Sequence, residues 1–318
     1  MQHTDDAYTL MLLTLPMSPD ADEAVKPLTG EEMAYVMSRP ELAFSHRPSL
    51  LMNRDLPGTM RMLESDEAFA YRVRILMSRD VLLSRLIDEC IDSGIEILTP
   101  ADEVYPRSLR QRLGDYSAPT LFAKGNAWLL KSDYLGLIAL PGIKTPDSVK
   151  RNVRNLSHLA AENGMGIVTG GELGAGMLAR RAALDCDARL VCCVTGGLAG
   201  FCAQKEHVEP IDFGNMLVLS SAHPLSVPDD RLIFERNRLI YALSNAAFVA
   251  TTDGRQGEAE AAMRRLCDYL YYFEDPALPA NSLLSSRGFT PVSDIEALDV
   301  YSKSEIWKNA DAEQLRLF

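Results

Sequence analysis

From Tyr134 onward the chain alternates between two kinds of pattern. Residues 135–140 (L-G-L-I-A-L), 166–169 (G-I-V-T), 190–194 (L-V-C-C-V), 216–219 (M-L-V-L), 247–250 (A-F-V-A) and 269–273 (Y-L-Y-Y-F) are short apolar runs with no polar alternation. Between them, residues 146–163, 175–186, 229–243 and 257–267 read as helices. Continuous apolar runs fit strands covered on both faces, and strands separated by helices fit a parallel sheet. Glycines close three of the runs, at Gly142 after Pro141, at Gly170-Gly171, and at Gly196-Gly197 after Thr195. In such sheets ligands bind at the carboxyl ends of the strands, over helix N-termini.

The first third reads differently. Residues 31–39, 66–77 and 80–91 have helical composition, and Val81, Leu82, Leu83, Leu86, Ile87 and Ile91 recur near a 3.6-residue period, with Gly94 placed as a C-cap. Residues 40–57 read as loop. The first 25 residues show little pattern and are expected to be mobile. The apolar stretch 8–17 contains Thr and Pro and follows Asp5 and Asp6, which does not fit a signal peptide. No run approaches the roughly 18 apolar residues of a membrane helix, so no membrane association is expected. The predicted organisation is a mainly helical domain (1–125), a sheet domain (126–291), and a linker with a terminal peptide (292–318).

Composition changes the picture in one respect. The net charge of −12 argues against a nucleic-acid partner, yet residues 126–182 hold seven basic and four acidic side chains. Salt screens charges beyond about 8–10 Å, so a local basic patch on an acidic chain can still hold phosphate. The six cysteines form no C-x-x-C pair. They fit a reduced cytoplasm, with no zinc and no other cofactor expected.

Three stretches could carry chemistry. Pro141-Gly142-Ile143-Lys144 links a strand to a helix that carries Lys150, Arg151 and Arg154, with Lys150 and Arg154 on one face. The alternative there is a solvated helix face. Residues 169–176 (T-G-G-E-L-G-A-G) place Gly170, Gly171 and Gly174 between a strand and a helix that bears Arg180 and Arg181. This matches neither the dinucleotide nor the P-loop spacing. It supports phosphate or sugar-phosphate contact, and equally close packing of helix on sheet. The third stretch is Arg236-Asn237-Arg238 within a helix, a set suited to phosphate or base edges or to a surface ion-pair network. Catalytic signals are few: His158, His207 and His223 are scattered, and Asp253 and Glu258 fit helix N-terminal acids.

The order of these motifs resembles the DNA-processing protein A family (DprA, also called Smf). The likeness runs through Y-P-R-S-L at 105–109, A-P-T-L-F-A-K-G-N at 118–126, Gly142 with Lys144, the glycine loop at 169–184, Gly196-Gly197-Leu198, R-N-R-L-I at 236–240, and residues 281–288. The resemblance implies an extended Rossmann-like, doubly wound and mostly parallel sheet preceded by a small helical domain. It implies a homodimer that binds single-stranded DNA without catalysis and passes it to a RecA-type recombinase. It points to Gly142, Lys144, Gly170, Gly174, Arg236 and Arg238 around a phosphate pocket. The departures are Leu173 for the family's loop Arg, Gly176 for its Asp, Arg180 for its His and Ile143 for its turn Ser. They bring in a second reading, a nucleotide-binding sensor or an enzyme similar to nucleoside-monophosphate phosphoribohydrolases that uses the same loops.

The chain ends Gln314-Leu315-Arg316-Leu317-Phe318. This resembles the bacterial sliding-clamp-binding peptide, with Leu315, Leu317 and Phe318 offered to an apolar pocket and Gln314 orienting them. The alternative is a segment folded back on its own core.

Overall fold

The structure, a computed structural model, describes residues 3–19, 25–114, 119–171 and 173–298. These form two compact units. One is built on the described residues up to Lys124, with Gly196–Gly200 and Ser220–Val227. The other takes Gly125–Thr195, Phe201–Leu219 and the described residues from Pro228 onward.

The first unit opens with α1 (Asp5–Thr14), in the region expected to be mobile. Thr4 caps it by accepting from the Ala7 N–H at 3.2 Å, and Leu10 to Leu13 are fully buried. A helix buried on all sides has no polar face, so its sequence shows no stripe to detect. Arg79 donates to the Leu12 and Leu15 carbonyls at 2.5 and 3.1 Å and so closes the carboxyl end of α1. Around it lie α2 (Gly30–Met37), α3 (Pro40–Ser45), α4 (Leu56–Leu63), α5 (Glu67–Met77) and α6 (Asp80–Asp92). Thr29 and Glu32 form a reciprocal capping box on α2, and Asp55 and Asp66 cap α4 and α5. Helix α3 and the start of α4 fall where a loop was expected. Each begins with a proline in its first turn, where the missing N–H costs nothing. The sequence pattern also missed an antiparallel pair in this unit, β1 (Glu96–Leu98) with β2 (Leu121–Gly125), on either side of α7 (Arg107–Leu113).

The second unit carries the expected parallel sheet. Its strands are β3 (Tyr134–Ala139), β4 (Gly166–Thr169), β5 (Leu190–Cys193), β6 (Met216–Ser220), β7 (Ala246–Thr251), β8 (Tyr269–Phe273) and a short β9 (Thr290–Val292). They lie in the order β6-β5-β4-β3-β7-β8-β9, and every pairing is parallel. The fold is α/β and Rossmann-like. Strands β3 to β8 are apolar along their length because helices cover them. Helices α8 (Asp147–Glu162) and α9 (Ala175–Asp185) pack together and on β3 and β4. After α10 (Leu198–Cys202) and α11 (Lys205–Asp212) come α12 (Ile233–Leu243), packed on β3, β4, β5 and β7, then α13 (Glu258–Met263) and α14 (Pro279–Ser282). In α14, Asn281 is buried and donates to the Ala250 and Phe273 carbonyls at 3.0 and 2.9 Å, tying the ends of β7 and β8 together. The chain winds outward from β3 in one direction through β4, β5 and β6, then returns to β7 on the other side of β3. The order therefore reverses between β3 and β7, and the crevice at that reversal is where such sheets bind ligands. No helix among the described residues is long and apolar enough to cross a membrane.

Candidate functional site

Three loops leave the carboxyl ends of β3, β4 and β7. The first holds Gly142 at φ +83°, exposed, with open space where a side chain would stand. Lys144 is exposed beside it, and Thr145 is buried with its hydroxyl oxygen unpartnered. On α8, Lys150 Nζ lies 2.8 Å from Asp147 Oδ1. The Asp147 carboxyl is held below the usual range by the Lys150 hydrogen bond first, with Lys144 and Arg154 adding to it. Lys144, Lys150 and Arg154 are therefore gathered around one exposed carboxylate. Arg151 and Arg154 are exposed on the same helix.

The second loop surrounds the N-terminus of α9. Thr169 is fully buried and its hydroxyl has no partner. Gly170 and Gly171 follow, both buried. Gly174 stands at the N-cap with φ +96° and ψ −136°, backbone that only glycine adopts without strain, and no side chain caps the helix. A Cβ on Gly174 would lie 3.8 Å from Thr145 Oγ1, and one on Gly176 would lie 3.7 Å from Thr169 Oγ1 and 3.4 Å from the Gly171 nitrogen. Two unsatisfied hydroxyls, one from the loop after β3 and one from the end of β4, thus flank one open helix N-terminus. Leaving a buried hydroxyl unpaired costs about 1–3 kcal/mol. The free amides of the first helical turn and the positive end of the helix dipole complete a cradle for an anion rich in oxygen acceptors.

The third loop is held from beneath. Arg236 is 2% exposed. Its Nε donates to Asn237 Oδ1 at 3.0 Å, and its Nη2 lies 3.5 Å from the Ala139 carbonyl at the end of β3. Asn237 donates to the Gln256 carbonyl at 2.8 Å, in the loop after β7. Arg238 lies 3.0 Å from Glu235 and 3.2 Å from Glu260, and Glu260 also pairs with Arg264. Of the three residues, two brace the walls of the crevice and the third belongs to a helix-surface ion network. Glu258 is fully buried, with one oxygen bonded to the Thr252 hydroxyl and the other accepting the Gln256 N–H at 2.8 Å. Its carboxylate is used internally. Asp253 is exposed and accepts the Arg255 N–H at 2.9 Å, which shapes the turn. Arg180 is 3% exposed and bonded to Glu206 at 2.5 Å, with Arg181 on the same carboxylate at 3.2 Å. Of the histidines, His158 is exposed on α8, while His207 and His223 are buried. Among the described residues no group of His, Cys, Asp or Glu is arranged to hold a metal. The peptide Gln314, Leu315, Leu317 and Phe318 lies outside the described residues.

A family model for DNA recombination-mediator protein A matches residues 96–266, more than half of the chain and all three loops. The chain belongs to the DNA recombination-mediator protein A family. Among solved structures it is similar to the X-ray structure of DNA processing protein A from Streptococcus pneumoniae, with 20% identity and a TM-score of 0.64, over 92% of this chain and 96% of that one. It is also similar to DNA processing protein A from Helicobacter pylori, at 22% identity and TM-score 0.50, over 64% of this chain and 92% of that one. At these identities the structures show a shared fold. No curated protein sequence matches the chain. Where the family's loop carries an Arg, this member has Leu173, which is 74% exposed.

Thr145, Asp147 and Thr169 were not singled out from the sequence. A threonine at the end of an apolar strand before Gly-Gly, and one before the proline that starts a helix, were the available signals. A threonine is common at both places for purely local reasons.

Proposed function

We propose that this protein binds single-stranded DNA through backbone phosphates, with one phosphate seated at the N-terminus of α9, and that it acts without catalysing a reaction. The observation that carries this reading is the pair of unpartnered hydroxyls, Thr145 and Thr169, beside the uncapped helix start and its positive-φ glycine. A phosphodiester offers acceptor oxygens to hydroxyl and amide donors at once, and Lys144, Lys150 and Arg154 stand along its path as exposed or partly exposed cations. Family membership supports the same reading. So does the Helicobacter pylori relative, whose structure is described as showing a single-stranded DNA binding mode. In this scheme Gly142, Gly170, Gly171 and Gly174 let the backbone approach the strand. Arg236 and Asn237 brace the loops from within and do not touch it, and Arg238 is held in the helix-surface ion network.

The test is a titration of labelled single-stranded DNA against duplex across a salt series. For single strands the slope of log affinity against log salt is about −0.7 per phosphate contact, so three cations give a slope of about −2. Lys144→Ala should reduce its magnitude by about 0.7. Binding that is insensitive to salt, or equal for duplex, would refute the proposal.

The reading extends to partners. Bound strands would pass to a RecA-type recombinase from a homodimer, and the terminal peptide Gln314 to Phe318 would recruit the protein to a sliding clamp. Clamp binding that survives Leu317→Ala/Phe318→Ala would remove that element. A mononucleotide in the same cradle is the second reading, favoured by the small number of exposed cations around it. Co-purified nucleotide released on denaturation would support it over DNA.

A further inference from the structure

The glycine loop before α9 is propped from the side by a stack that the DNA reading leaves unused. A Cβ on Gly171 would meet Phe201 Cζ at 3.2 Å and Cys192 Sγ at 3.3 Å, so the ring edge, with this thiol, closes off the side-chain face of the backbone at the start of the loop. Gly171 has φ +72°, a conformation that must be held against the freedom of glycine. The Phe201 ring is itself fixed. His207 stacks on it with centroids 4.1 Å apart and planes inclined by 27°, and His207 Nδ1 lies 2.6 Å from the Phe201 carbonyl oxygen. A carbonyl only accepts, so Nδ1 carries the proton, and burial holds this imidazole neutral by lowering its pKa. The guanidinium carbon of Arg180 lies 5.8 Å from the ring centroid, within cation–π range. Glu206 bonds Arg180 from outside the stack, and this bond and the Arg180 charge keep the Glu206 carboxyl ionised to lower pH than usual.

We propose that Phe201, backed by the Arg180–Glu206 ion pair, is the positioning element that holds the Gly170–Gly171 backbone in its anion-receptive shape, and that Arg180 is not a phosphate ligand. This inference deepens the DNA reading and rests on it for its functional consequence. Arg180 has Nε and Nη1 without hydrogen-bond partners, which could suggest an anion ligand. Its Nη2 is bonded to Glu206 at 2.5 Å, however, and its guanidinium carbon stands over the Phe201 ring, so its charge is already engaged within the protein. A ligand and a prop differ in measurable ways. Removing a ligand lowers both affinity and salt slope, because one fewer counterion is released. Removing a prop lowers affinity and leaves the slope unchanged, while loosening the loop even without DNA.

Both readouts are taken on the full chain carrying Phe201→Ala, Glu206→Ala or Arg180→Gln, with Lys144→Ala as the ligand control and thermal melting to confirm folding. Hydrogen exchange is followed on DNA-free protein in peptides covering Gly170 and Gly171. The proposal predicts exchange there about tenfold faster in Phe201→Ala and measurably faster in Glu206→Ala. It predicts weaker single-stranded DNA binding with the wild-type slope in all three variants, against a slope smaller by about 0.7 in Lys144→Ala. Unchanged loop exchange in both Phe201→Ala and Glu206→Ala would overturn it, as would an Arg180→Gln slope reduced as much as that of Lys144→Ala. If wild-type protein fails to bind DNA, the functional reading falls, and the exchange measurement still decides the positioning claim.

Discussion

Lys150 Nζ sits 2.8 Å from Asp147 Oδ1 at the first turn of α8, so one cation of the proposed phosphate path is neutralised by the protein's own carboxylate. Lys144 and Arg154 act on the same group. A phosphate entering this cluster must compete with Asp147. Asp147→Asn should therefore raise single-stranded DNA affinity by roughly two- to fivefold at low salt, and the gain should shrink as salt screens the cluster. Parallel titrations of the two proteins at two salt concentrations check this. Equal affinities at low salt would place the DNA elsewhere.

The two arginines of the R-N-R stretch should behave oppositely under mutation. Arg236 is buried and braces Asn237 and the end of β3, so Arg236→Ala leaves acceptors unpaired and should cost about 2–4 kcal/mol of stability. Arg238 pairs with Glu235 and Glu260 near the surface, and Arg238→Ala should cost about 0–1 kcal/mol. Denaturant unfolding of the two variants measures the difference. Similar losses would mean the two residues share one role.

Much of this was legible in advance and some was not, for identifiable reasons. Six strands of the parallel sheet were readable because burial on both faces leaves unbroken apolar runs such as 135–140 and 190–194. The glycine turns at Gly142 and Gly174 were readable because left-handed backbone selects glycine. Helix α1 escaped because full burial erases the amphipathic stripe, and β1 with β2 because β1 spans three residues and the apolar run of β2 is cut short by Lys124 and Gly125. For Arg236 and Arg180 the residue type was visible and its direction was not. An arginine that braces a carbonyl or a carboxylate from within has the same letter as one that greets a phosphate. Thr145 lies in the loop after β3 and Thr169 is the last residue of β4, and only the packing of α9 on β3 and β4 brings their hydroxyls together.

His207 links the fold to pH. Burial lowers its pKa below the ordinary 6.5, so the unfolded chain takes up a proton at this position before the folded one does. The unfolded state then binds more protons as pH falls below about 6.5, and stability drops in that direction. Above pH 7 both states are neutral and the contribution vanishes. Unfolding midpoints for wild type and His207→Phe at pH 7.5 and 5.5 test this. The wild type should lose more on acidification than the variant, and an equal loss would assign the acid sensitivity to other groups.

The central claim is that the Thr145 and Thr169 hydroxyls await a ligand. Valine has the shape of threonine without the hydroxyl, so Thr145→Val/Thr169→Val removes two unsatisfied buried donors and fills the same space. The most direct measurement is the stability and the single-stranded DNA affinity of this double variant, side by side with wild type. The account predicts that stability is unchanged or higher by about 1 kcal/mol, while affinity falls by about tenfold or more. A double variant that binds DNA as tightly as wild type would contradict it.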